Sequence, residues 1–141
     1  MTSKPVLRTW RRSSTRATSD MRVIIAGGRD FMELKMAHRE LSRIHAYDFR
    51  IHTVLSGGAR GADAIGERWA EALFIPVLKF PADWKSGKGA GFARNIEMAE
   101  EADALIAFWD FVSRGTEHMI DTALWRGLRV VIIGYNIDPL I

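Results

Sequence analysis

The charged residues that can do chemistry in this chain gather around three glycine-bearing turns. The turns are Ala26-Gly27-Gly28-Arg29-Asp30, Ser56-Gly57-Gly58-Ala59-Arg60-Gly61-Ala62-Asp63 and Ser113-Arg114-Gly115-Thr116. Arg29, Arg60 and Arg114 sit inside them, and a guanidinium grips a phosphate with a planar fork. Asp63 and Glu117 each follow a glycine by two residues. Together with Asp83 and Asp110 they can serve as general acid or base if burial raises a pKa. The chemistry on offer is therefore anion binding, with acid–base catalysis as a second capacity.

Other chemistries find little support. The chain has no cysteine, so thiolate catalysis, disulfides and thiolate zinc sites are excluded. Its four histidines, His38, His45, His52 and His118, lack ligand spacing, and no metal site is expected. The G-x-S-x-G elbow of a serine hydrolase is absent. So are the G-x-G-x-x-G dinucleotide fingerprint and the Gly-Lys-Ser/Thr of a P-loop.

Each turn also has a plain reading. Asp30 can simply cap the following helix, and Ser113 or Thr116 the later one. Asp63 can accept from ribose hydroxyls or merely offset a helix dipole. The second turn is the most specific. Gly57, Gly58 and Gly61 at one helix entrance are costly in conformational entropy, and a cradle for phosphate or ribose explains them. Lys85 and Lys88 lie in a glycine-rich loop that can act as a flap over phosphates or be plain solvated loop. Trp84, in the same loop, can stack on a base. Arg94 and Asn95 can point into a crevice, although a surface ion pair is the commoner fate of an arginine. The expected ligand-binding set is Gly27, Gly28, Arg29, Asp30, Ser56, Gly57, Gly58, Arg60, Gly61, Asp63, Trp84, Arg94, Asn95, Ser113, Arg114, Gly115 and Thr116.

The elements that must position these residues alternate from Met21 onward. Strands are predicted over 22–26, 51–55, 75–80, 103–109 and 129–134. Helices are predicted over 33–46, 62–73, 92–102 and 116–126, with 81–91 a loop. Leu34, Ala37, Leu41 and Ile44 form one apolar stripe; Ala62, Ile65, Trp69 and Leu73 form another. Trp109 and Trp125 read as core or core-rim residues. Strand–helix alternation predicts an α/β, Rossmann-like three-layer fold. Its sheet is mainly parallel, with about five strands and helices on both faces. All three turns fall at carboxyl ends of strands, where such sheets bind ligands.

Length and composition fit one globular domain of 141 residues, 48% hydrophobic and 26% charged. No apolar run approaches the ~20 residues that span a bilayer. Residues 1–20 hold five basic groups and one acid, while 21–141 hold 15 basic and 16 acidic residues. The net charge of +3 thus comes from the Ser/Thr/Arg-rich leader, which shows neither strand nor helix period. The leader is read as flexible. A nucleic-acid-contacting arm and a transit peptide are the other readings, and Trp10 can staple the leader to the domain. A domain face for duplex DNA is not indicated.

Several stretches resemble one family in order along 21–141: Met21 to Phe31, Ser56 to Asp63, Phe80-Pro81-Ala82-Asp83-Trp84, Ala90-Gly91 with Arg94-Asn95, and Ser113 to Thr116 with His118-Met119-Ile120. The chain is similar to the YspA-type, cpYpsA-related branch of the SLOG superfamily. That resemblance implies a Rossmann-like fold and a nucleotide or nucleotide-derived ligand, in phage or bacterial settings of conflict or signalling. It implies distant similarity to LOG phosphoribohydrolases and to the DNA-loading protein DprA. The LOG pattern P-G-G-x-G-T-x-x-E puts its Gly-Thr on Gly115-Thr116 and its catalytic glutamate on Met119. Methionine does no acid–base work, and Glu117 sits about 200° away around a helix.

The leading expectation is a cytoplasmic domain that binds a small nucleotide-derived ligand as a sensor or sequestering module, with no further cofactor and no membrane. A homo-oligomer is compatible with it. The alternatives are an enzyme hydrolysing an N-glycosidic or phosphoester bond, with Asp63 or Glu117 as catalytic residue, and a DprA-like nucleic-acid binder using residues 1–20.

Overall fold

Alternating apolar side chains on five strands need cover on both faces of a sheet, and four helices supply it. The computed structural model describes residues 7–10, 20–87 and 89–136. The elements are β1 (Leu7–Trp10), β2 (Met21–Gly27), α1 (Leu34–Tyr47), β3 (Ile51–Ser56), α2 (Ala62–Ala72), β4 (Val77–Lys79), α3 (Ala90–Glu101), β5 (Ala104–Trp109), α4 (Arg114–Trp125) and β6 (Arg129–Gly134). A short 3-10 turn, Trp84–Ser86, precedes α3.

The sheet order is β1-β6-β5-β2-β3-β4. Strands β2 to β6 are parallel, and β1 joins β6 antiparallel. The chain winds from β2 outward through β3 to β4, then crosses to β5 and β6 on the other side. The winding reverses between β2 and β5, where doubly wound sheets open a crevice.

Period-two alternation divides the core. Val23 and Ile25 of β2, with Ile106 and Phe108 of β5, pack against Ala37, Leu41 and Ile44 of α1 and Trp69 of α2. Ile24, Leu105 and Ala107 point the other way, onto Met98 of α3 and Met119, Ile120 and Ala123 of α4. The predicted α/β three-layer architecture is the one observed.

Several local expectations need correction. Leu7–Trp10 lies in the leader read as lacking a strand period, yet it pairs along β6 from Leu7↔Ile133 to Trp10↔Val130. A parallel sheet's outer edge offers unpaired backbone groups to any passing segment, whatever that segment's own period. Residues 1–6, 11–19, Lys88 and the Asp138-Pro139 tail lie outside the described residues. Leu34 and Leu73 are exposed at the ends of their helices, and Trp125 is 85% exposed rather than at the core rim. The helices α3 and α4 each start two residues earlier than predicted, and β4 is shorter at both ends. No helix among the described residues is long and apolar enough to cross a membrane.

Candidate functional site

The carboxyl ends of β2, β3 and β5 are neighbours in the sheet, so their three following turns meet. Between them lies a cleft of about 450 Å³. Of the expected set, Gly27, Gly28, Arg29, Asp30, Arg60, Asp63, Trp84, Arg94, Asn95, Ser113, Arg114, Gly115 and Thr116 line it. Ala26, Met98 and Met119 form an apolar part of the wall. Arg29, Arg60, Arg94 and Arg114 outnumber Asp30 and Asp63 there, so the lining favours a polyanion.

The first two turns lock together through Gly61. Its φ is +77°, and a Cβ there would collide with the carbonyl oxygens of Gly28 and Arg29. The Ala62 amide donates to the Gly28 carbonyl at 3.1 Å. Gly61 is therefore a packing residue beneath the cleft rather than part of its lining.

The second turn differs from the expected cradle. Two of its amides are consumed from within: Gly58 N–H donates to Ser56 Oγ at 3.1 Å, and Ala59 N–H to Asp63 Oδ2 at 3.2 Å. Ser56 is fully buried, and its hydroxyl donates to Glu67 at 2.5 Å. It supports the loop and cannot touch a ligand. Gly57 and Gly58 border an adjoining hollow shared with Arg29, Arg60, Trp84 and Arg94.

Asp63 is 6% exposed. Burial raises its pKa to about 6, against the pull of the Ala59 amide and the Arg94 guanidinium. Arg94 in turn donates from Nη1 to the Gly57 carbonyl at 2.6 Å and from Nε to Asn95 Oδ1 at 3.2 Å. Asn95 is buried and donates to the Gly115 carbonyl at 3.3 Å and to His118 Nδ1 at 3.2 Å. Burial lowers the His118 pKa, with Asp121 opposing, so its ring is a neutral acceptor at pH 7. Phe92 stacks on that ring at 4.0 Å. A chain of contacts thus runs from the second turn through α3 to the third turn.

The third turn leaves donors free at the start of α4. The first intrahelical bond of α4 is Glu117 N–H to the Ser113 carbonyl. The amides of Arg114, Gly115 and Thr116 have no partner among the described residues, and no side chain caps the helix. The expected cap by Ser113 or Thr116 is not made. Asp110 instead accepts from Val112 N–H at 2.9 Å and Ser113 N–H at 2.7 Å. Burial alone would raise its pKa, but these bonds outweigh that and hold it below the usual carboxylate value. Nor does Asp30 cap α1, which starts at Leu34 with no side-chain cap.

Glu117 is exposed and outside the cleft lining, and Asp83 spends its carboxylate on Lys85 N–H and Ser86 Oγ. Trp84 lies at the cleft mouth, 56% exposed, with the Arg29 guanidinium 5.7 Å from its ring centre. No group of three or more His, Asp or Glu among the described residues is arranged to hold a metal ion. Tyr135, just after β6, lies outside the cleft lining but holds the lining residue Asp30, a role that sequence reasoning missed. Its hydroxyl donates to Asp30 Oδ1 at 2.9 Å across 105 positions, a separation that leaves no local signal.

Residues 21–87 match the family described as YspA, cpYpsA-related SLOG. The chain is also 36% identical over 121 residues to the Gene 61 protein of Mycobacterium phage D29, an alignment that covers 80% of this chain and 96% of that protein. These findings, with a cleft whose first two turns lie within the matched residues, identify the chain as a member of the YspA, cpYpsA-related SLOG family.

Proposed function

We propose that the cleft binds a nucleotide or nucleotide-derived ligand and that the protein serves as a sensor or sequestering module for it. The observation that carries this reading is the uncapped start of α4. Three unpaired amides on cleft-lining residues, at the positive end of a helix dipole, form a phosphate site. Arg29 and Arg114 add charge, Trp84 and Phe92 add ring faces for a base, and Met98 and Met119 add an apolar wall. Met119 also supports binding over LOG-type hydrolysis, because it brings a thioether to the cleft where that pattern has a carboxylate.

Gly115 offers a clean test. Beyond its chain neighbours and its own helix backbone, a Cβ at this position meets no protein atom within 4 Å, so it would project into open space. Gly115→Ala is expected to raise fold stability by about 0.5–1 kcal/mol through helix propensity. The same methyl blocks close approach to the α4 amides. Calorimetry against nucleoside monophosphates, cyclic nucleotides, NAD and ADP-ribose should find a ligand for the wild type and at least tenfold weaker binding by the variant, about 1.4 kcal/mol. Failure of every compound to bind the folded wild type would sink the reading.

A further inference from the structure

The Asp30 carboxylate is held in place but not neutralised. The residue is exposed and lines the cleft. Among the described residues it makes no ion pair, and its side chain caps no helix. Its one polar partner among the described residues is the Tyr135 hydroxyl, which donates to Oδ1; Oδ2 has no partner among them.

Tyr135 is built in from three directions. The residue is 3% exposed, and its ring packs on Phe31 at 4.7 Å between centres. Its amide donates to the Trp109 carbonyl at 3.1 Å. Its hydroxyl occupies the space a Cβ on Gly28 would need, so the glycine of the first turn makes room for it. Burial and the Asp30 bond push the phenol pKa above its ordinary value, so the hydroxyl remains a donor.

The other cleft carboxylate is otherwise employed. Asp63 is buried and holds the second turn through the Ala59 amide. Asp30 is thus the fixed, unneutralised acceptor in a cleft otherwise rich in donors. A hydroxyl is the neutral group that such an acceptor selects, and a phosphate is one that it repels.

We propose that Asp30, fixed by Tyr135, reads the sugar hydroxyls of the ligand, so that the cleft prefers ribonucleotides to their deoxy counterparts. The inference rests on the nucleotide reading of the same cleft. Asp30 makes the contact, and Tyr135 is its positioning residue.

The test is calorimetry of the whole chain with the four ribonucleoside 5′-monophosphates and their 2′-deoxy and 3′-deoxy forms. Loss of one hydroxyl is expected to weaken binding about tenfold or more, the usual cost of leaving a charged acceptor unpaired. Asp30→Ala, at an exposed position, should abolish that ratio while phosphate-driven binding persists. Tyr135→Phe keeps the ring packing and should reduce the ratio. A merely structural role for Tyr135 would lower the melting temperature and leave the ratio intact. Equal affinity for ribo and deoxy forms, or a ratio that survives Asp30→Ala, overturns the inference and leaves the nucleotide reading standing. Binding of none of these compounds by the wild type overturns both.

Discussion

Asp63 carries the clearest cost in the molecule. Its folded pKa of about 6 lies above the ordinary 3.8, because burial disfavours the charged form. At pH 7 it is charged in both folded and unfolded chains, and the fold bears a penalty on the order of 3 kcal/mol. As pH falls from about 6 to about 4 the folded state takes up the proton first, so this group adds stability on acidification. Asp63→Asn removes the titration. Urea unfolding of both proteins at pH 7 and pH 4 should show the variant losing ground to wild type at the lower pH, by up to about 3 kcal/mol. A difference that stays constant with pH would show that Asp63 is not held in this way.

The glycines of the three turns serve different ends, and only their positions in the fold separate them. Gly28 admits a tyrosine hydroxyl, Gly61 admits two backbone carbonyls, and Gly115 faces open space. Gly61→Ala combines a left-handed φ with a backbone clash, so a loss of roughly 2–3 kcal/mol is expected. A wild-type-like denaturation midpoint would contradict the close packing of the first two turns. The positions of the parallel strands and all four helices were legible in the sequence, because apolar runs and helical stripes are local signals. The convergence of the turns followed from their place at strand ends. What stayed hidden depended on partners far along the chain. Gly58 and Ala59 look like anion donors until Ser56 and Asp63 are seen to claim them. Leu7–Trp10 is a strand because β6 has a free edge, and four residues carry too short a pattern to announce it.

Across the whole molecule, β1 covers the outer edge of β6, whose residues are all buried. The cleft is built on β2, β3 and β5, on the other side of β6 from β1. Deleting residues 1–19 is therefore expected to lower the melting temperature by about 3–6 °C, or ~1 kcal/mol, and to promote self-association at the bare edge. Ligand affinity should not change. Thermal denaturation with light scattering checks both effects, and an unaltered midpoint without aggregation would mean that the strand adds nothing to stability.

The central place of β2 has a kinetic consequence. Its two neighbours, β3 and β5, start about 30 and 83 residues after it, and parallel pairing leaves no short hairpin to begin from. Loop closure over such separations makes folding slow and late-stage. The cleft draws its walls from positions 26 to 119, so it exists only once both pairings are complete. Any ligand it holds is blind to partly folded chains. By mass action it adds RT ln(1 + [L]/Kd) to the stability of the finished domain alone, making ligand supply a selector for chains that have completed the sheet.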